Sequence, residues 1–394
     1  MAQVSKAYAD LITHTRSSAG SRINAQGKFE MVAANLPRFD YDPVTLSLRG
    51  LLVEEQRTNL LIQSDDYSTS SWMKSLTTVE SSSMVSPVGG AMQKLVDSTT
   101  NDLHSLYQIC SITGSTAYCY SVHTKQGERR YVFLNIGSSR SQCAVAAFDL
   151  QTGTLLRTYN NGNTWAGIAA GVINCGNGVY RLWVSATSPV GATSGNPAIW
   201  LVHDNAVALA VPIYVGDGVS GAYLWGQQFE AGAFPTSHIP TTSAQVTRAA
   251  DVASVNTLSP WFNPTAGTLF VDCVPATASN NSVMAALVGD SAFHLFYDAV
   301  NQRSGIYSIN TSGNLVNQIP LGRIRGAVAF DPHSLSYSVN GSAVSIRAQE
   351  RTYNKHTELR LGRNQFSGSL WGHLRSIRYF PRRFTNAELQ ALTA

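Results

Sequence analysis

Between residues 58 and 240 the chain is a succession of short apolar segments, each closed by a cluster of turn-forming residues. YVFLNI, QCAVAAFDL, VYRLWVSAT, PAIWLVH, AVPIYV and AYLWGQQF are separated by breaks such as QTG, NNGN, NCGNG and TSGNP. In STAYCYSVHTK the residues Tyr118, Tyr120 and Val122 share one parity, the period-two pattern of a strand with one face buried. Regular short strands with Gly and Asn turns, and no sustained 3.6-residue repeat, predict a β-sandwich. The same rhythm resumes at residue 265 in GTLFVDCVP, SVMAALVG, AFHLFYDA and RGAVAFD. The predicted fold class is therefore all-β, with two jelly-roll-type sandwiches in tandem over residues 58–240 and 265–394.

Residues 1–57 read as an extended N-terminal arm that turns strand-like from Leu46 to Val53, with Pro37 and Pro43 as breakers. Residues 241–264 read as a linker, ending where Pro260 and Pro264 flank the aromatic pair Trp261 and Phe262, a plug for the domain junction. TNAELQALTA at the C-terminus is the clearest helix start: Thr385 caps it and Glu388 stands three residues on, completing a capping box. That helix is expected on the rim of the second sandwich.

Only 13% of the 394 residues are charged, about half the usual share. Hydroxyls and amides must then carry the surface, as suits a rigid β-protein. The net charge of +4 is unevenly spread: residues 301–394 hold 12 Lys and Arg against 4 Asp and Glu, the remaining 300 residues 16 against 20. A basic last domain suits an anionic partner such as an acidic polysaccharide. Five cysteines without a C-x-x-C pair argue against zinc and against a disulfide framework, and for buried free thiols. The N-terminus lacks the pattern of a signal peptide, and no apolar run approaches a membrane span.

Motifs for catalysis are weak. GDGVSG (Gly216, Gly218, Gly221) fits G-x-G-x-x-G, but the strand-like AYLWGQQF follows where a dinucleotide site needs a helix. Glu54 and Glu55 in VEEQR would point to opposite faces of a strand, whereas glycosidase carboxylates converge on one bond. The nine histidines show no metal-hydrolase spacing, His238 reads as a packed or surface residue, and no calcium loop or G-x-S-x-G elbow occurs. No catalytic residue, metal or cofactor is assigned, and the chain is expected not to be an enzyme.

Aromatic rings remain as candidates, because sugars stack their C–H faces on exposed rings. Trp165, in the turn-rich NNGNTWAG, is the best candidate for exposure. Tyr353 lies in the polar QERTYNKHTE beside Arg351 and Lys355 and completes the candidate ligand-binding set. Trp183, Trp200 and Trp225 lie within apolar strands and read as core. A spacing recurs: Leu-Trp-Gly, seven residues, Phe-Pro, at Trp225–Pro235 and again at Trp371–Pro381. It reads as the same structural task at each module's far end, with both Trp rings between the sheets, the glycines permitting a bulge and the prolines ending the strand.

Three blocks carry a resemblance: NLPRFDYDPVTLSLRGLLVEEQRTNLL followed by SDDYSTSSWMK, GAYLWGQQFEAGAFPTSHIPTTSAQVTRAAD, and LRLGRNQFSGSLWGHLRSIRYFPRRFTNAELQAL. In this order they resemble tail-fibre and other receptor-binding or virion-attached proteins of tailed bacteriophages. The resemblance implies a carbohydrate-binding-module-like sandwich, then a concanavalin-like or laminin-G-like one, with residues 1–57 attaching to other virion proteins. It further implies a homotrimer on the particle surface, made in the bacterial cytoplasm, that binds host polysaccharide or lipopolysaccharide and neither binds nucleic acid nor inserts into membranes. A structural head fibre or decoration protein is the alternative, and a polysaccharide depolymerase a more distant one.

Overall fold

The computed structural model describes residues 8–87, 90–275, 282–289, 293–308, 315–349, 356–364 and 370–394. Among them the chain builds two antiparallel β-sandwiches, as the apolar alternation predicts. In the first, a six-stranded sheet runs in the order Ala166–Asn174, Val179–Thr187, Ala117–Gln126, Gly221–Ala231, Ala91–Asp97, Thr77–Val85. It faces a sheet ordered Thr154–Asn161, Gln142–Asp149, Tyr131–Ser139, Ser194–Val202, His104–Tyr107, Met73–Ser75. Tyr118, Tyr120 and Val122 point inward as their parity requires, meeting Leu134, Ile136, Phe148 and Leu201 from the other sheet. GDGVSG is a tight turn: Asp217 accepts from the amides of Val219 and Ser220, and a strand follows.

The second sandwich departs from the expected boundaries. One sheet contains Ser345–Ala348, Ser334–Val339, Ile324–Phe330, Gly267–Pro275 and Gly372–Phe380, then Leu48–Val53 and Phe39–Tyr41 from the N-terminal region. The other contains Leu315–Gln318, Arg303–Ser308, Phe293–Asp298, Ser282–Gly289 and His356–Leu361, then Val252–Val255 and Thr13–Thr15. Of the expected arm, Thr13–Thr15, Phe39–Tyr41 and Leu48–Val53 are thus woven into the C-terminal module, while Gly20–Ile23 and Phe29–Val32 pair as a ribbon of their own. The expected linker likewise holds Val252–Val255, and Val246–Arg248, which pairs with Arg57–Asn59. The physical reason is edge coverage. Leu51, Val53, Ala253 and Val255 join the core of that module, and the strands that carry them occupy sheet edges otherwise left open. Trp261 and Phe262 pack against this same core beside Tyr379, so the plug seals one sandwich. The terminal helix Asn386–Thr393 has its capping box, and Leu389 docks with Phe384 on Phe270 and Ala327. It covers the outer face of a sheet where a rim was expected.

Where the N-terminal strands meet the first sandwich, three arginines are buried at 0–1% exposure: Arg16, Arg38 and Arg248. Glu54 accepts from Arg38 (2.8 Å), Arg248 (2.5 Å), and the Ser237 hydroxyl (2.6 Å) and amide (2.7 Å). Asp251 accepts from Arg16 (3.0 Å), from Arg38 and from the Glu54 amide (3.0 Å). Arg16 also donates to the carbonyls of Ser18, Val32, Ala33 and Leu36, which disperses the charge that two carboxylates leave over. Burial pushes the Glu54 carboxyl up, but Arg248, Arg38 and Ser237 outweigh it and hold it well below the usual carboxylate range. Glu54 and Glu55 do diverge: Glu54 enters this network and Glu55 pairs with Arg57.

The repeated Trp-Gly motif lies beside this network. Trp225 is buried, but on the outer face of its sheet, beneath Phe29 (5.5 Å), His123 (4.9 Å) and His238 (4.8 Å). The expectation of a ring between the sheets is corrected there. An extra residue in the strand opposite Ser121 and His123 makes a bulge, with Gly226 at φ 63°. In the second copy the left-handed residue is Trp371 itself (φ 46°), half-buried ahead of the strand, and the bulge falls at Arg375. The two copies touch, Phe234 of the first packing 5.9 Å from Trp371 of the second.

Two expectations follow for stability. Arg38→Ala leaves Glu54 and Asp251 short of their shared cation and should cost about 3–5 kcal/mol, read by chemical denaturation. His123 is buried, and burial with Arg181 and His238 nearby lowers its pKa well below the ordinary value. The unfolded chain therefore takes a proton below about pH 6.5 that the folded chain refuses, and stability falls as pH drops. Replacing His123 with Asn should flatten that slope by about 1.4 kcal/mol per pH unit between pH 6 and 5.

Candidate functional site

The outer face of the first sandwich's Tyr131–Ser139 sheet divides into a covered and an open half. Along that strand Val132, Leu134 and Ile136 face the core, so Phe133, Asn135 and Gly137 face outward. The segment 203–215 folds over one half, where Ala206 and Tyr214 bury Phe133, Trp200 and Val202. Arg157 ties the segment down through the carbonyls of Val207, Ala208 and Leu209, and Tyr159 through that of Ala210 at 2.6 Å.

The open half is a groove of about 370 Å³. Asn135, Ala198 and Trp200 form its floor, Ser75, Ser105 and Tyr107 one wall, and Ser138, Ser139, Arg140 and Asn196 the other. Gly137 keeps the floor low, because a Cβ there would stand 2.3 Å from that of Cys143. Asn196 donates to the Ser138 carbonyl at 3.2 Å, and its Oδ1 is buried without a partner. At the rim Arg140 meets Asp102 at 2.8 Å, both side chains about half exposed. The Leu103 amide and Arg140 together hold the Asp102 carboxyl below its usual range. Hydroxyls, amides, an exposed ion pair and a half-buried tyrosine ring offer the donors, acceptors and apolar face that a polyol needs.

A larger cleft, about 530 Å³, lies between the Arg57–Asn59 strand and residues 111–113. In it Arg57 pairs with Glu55 and lies over the Phe234 ring, its Nε buried without a partner, and the Tyr118 hydroxyl accepts from the Thr113 amide at 2.8 Å. Burial raises the Glu55 carboxyl despite Arg57. The smaller groove is the better site because its rim charges are accessible, whereas Arg57 and Glu55 are largely buried.

The sequence-derived candidates do not assemble there. Trp165 is 3% exposed and belongs to the core of the first sandwich, which corrects its expected exposure. Gly162 and Asn163, at φ 79° and 51°, make the turn before it, and Asn160 donates to its carbonyl. Arg351, Tyr353 and Lys355 lie outside the described residues. Of the tryptophans read as core, Trp200 is buried, whereas Trp183 is half-buried against Gly171. His238 is packed, 3.0 Å from Asp65. All five thiols are free, four of them buried, and burial pushes Cys110 and Cys143 up to about 12. No cluster that could hold a metal ion occurs among the described residues. Tyr107, Asn135, Arg140 and Asn196 come from three separate strands and the turn Arg140 occupies, so no local pattern sets them apart as a group. The signal for Asn135 was an amide on the outward parity of YVFLNI.

No family model matches the chain. No curated protein matches it either. Among solved structures, the chain is similar to the CBM40 module of a Ruminococcus gnavus IT-sialidase bound to α2,3-sialyllactose, at 17% identity and a TM-score of 0.27, over 34% of this chain and 84% of that one. It is similar to domains LG4-5 of mouse laminin α1, at 10% identity and 0.24, over 85% and 92%. It is also similar to a Trypanosoma rangeli sialidase, at 10% identity and 0.29, over 97% and 77%. Similar structures thus include carbohydrate-binding and laminin LG modules. They also include sialidases, and on that finding the expectation that the chain is not an enzyme is withdrawn.

A ring in the core and a ring on a ligand surface respond differently to deletion. Trp165→Ala should destabilise the protein by about 3–5 kcal/mol, and any glycan binding by the folded fraction should be unchanged. Denaturation and titration of the same sample check both.

Proposed function

We propose that the protein is a surface protein of a tailed-bacteriophage virion that attaches the particle to host cell-surface glycan. The groove over Asn135 is its glycan-contacting surface. The observation that carries this reading is the open groove lined by hydroxyls and amides beneath the half-exposed Asp102–Arg140 pair. Sugar hydroxyls donate to such a carboxylate and accept from such a cation, and a shallow groove admits part of a long polymer. The ordered sequence blocks that resemble phage fibre proteins support the virion part of the reading. In that setting other virion proteins are the attachment partners, and a homotrimer raises modest affinity per groove by avidity. Assembly in bacterial cytosol accords with five unpaired thiols.

An array of bacterial capsular polysaccharides and lipopolysaccharide oligosaccharides, assayed for both binding and released product, tests the reading. The protein should retain at least one glycan. Tyr107→Ala and Arg140→Ala should each weaken that binding about tenfold, a loss of about 1.4 kcal/mol, and the exposed Arg140→Ala should do so with melting unchanged. Retention of none, or variants that bind like the parent, would overturn the assignment of the groove.

A further inference from the structure

We infer a second, separate glycan-binding surface on the C-terminal sandwich, suited to a polyanionic polysaccharide; the inference rests on the glycan-binding reading above. It lies on the outer face of the sheet that carries the terminal helix. There the buried Phe270 ring has Arg325 on one flanking strand, 5.9 Å from its centre, and Arg378 on the other, at 5.5 Å. A ring face attracts a guanidinium without neutralising it, so both cations are positioned yet keep their charge. Arg325 is held further by donating to the Leu392 carbonyl at 3.1 Å. Arg375, the bulged residue of the same strand as Arg378, is also exposed.

The charge balance of this face is one-sided. Asp272, Asp331 and Glu388 are each already paired, with Arg323, Arg383 and Arg382. Arg325, Arg375 and Arg378 have no carboxylate partner among the described residues. Pairing surplus cations with a protein carboxylate would satisfy stability alone, whereas these have none among the described residues and two of them are aimed by one ring. Arg325 and Arg378 stand on strands two spacings apart, about 10 Å. That separation suits two acidic groups along one polymer better than the two oxygens of a single carboxylate. Planar guanidinium groups bind carboxylate and sulfate through paired N–H donors. The ligand class is thus a polysaccharide with a recurring acidic group.

Titration with hyaluronan, with neutral dextran of matched length and with single-stranded DNA tests this on the full chain. The parent should bind hyaluronan at least tenfold more tightly than dextran or DNA, and the affinity should fall as salt rises. Arg325→Gln with Arg378→Gln should lower hyaluronan binding at least tenfold, and so should the exposed Arg378→Glu alone, which guards against misfolding of the double variant. Arg140→Ala, in the other groove, should leave it unchanged. If the Arg325 and Arg378 variants bind hyaluronan like the parent, or if DNA binds as tightly, this inference falls while the groove reading stands. If neither hyaluronan nor any arrayed glycan is retained, the glycan reading itself falls.

Discussion

The junction of the two sandwiches is built around one buried ionic network, Arg16, Arg38 and Arg248 around Glu54 and Asp251. A charge removed from water is costly unless it is paired and hydrogen-bonded. Each carboxylate oxygen here accepts at least one donor, and the leftover positive charge is spread over backbone carbonyls. Such a network tolerates little displacement. Arg16, Arg38, Glu54 and Asp251 stand at the ends of strands that belong to the C-terminal sandwich, Arg248 ends the strand paired with Arg57–Asn59, and Ser237 and the neighbouring His238 extend from the first. A buried polar junction of this kind fixes register more than it adds affinity between modules.

That constraint explains which parts of the fold could be read in advance. Local alternation placed the strands, because a half-buried sheet writes period two into its sequence. The capping box at Thr385 and Glu388 is likewise a local signal. The strand Leu48–Val53 was visible, but its partner, Gly372–Phe380, is more than 300 residues away. Nothing local in LRGLLV tells an arm from an edge strand of a distant sheet. The same holds for Val252–Val255, whose neighbours are Thr13–Thr15 and His356–Leu361. Nothing local marks Arg38, Glu54, Arg248 and Asp251 as buried, because burial of an arginine shows only when its partners are in place.

The repeated Trp-Gly spacing illustrates the same point. Strand character and termination near proline could be anticipated. Which face each ring would occupy could not, since a single bulged residue inverts the parity of everything beyond it. Trp225 accordingly lies under the N-terminal ribbon and Trp371 meets Phe234, so the two copies contribute to one contact. The groove was hidden for a related reason. Its floor is Asn135 on a strand that is apolar on both parities, because segment 203–215 covers the rest of that face. Only the fold shows which outward positions stay open.

The central claim is that a glycan lies in the groove over Asn135 between the Tyr107 and Arg140 walls. Hydrogen–deuterium exchange, with and without a saturating glycan that the protein retains, addresses it most directly. The account predicts added protection at residues 102–107, 135–140 and 194–198, with the cleft around residues 55–58 and 111–113 unchanged. Protection confined to that cleft, or absent from the Tyr131–Ser139 strand, would contradict it.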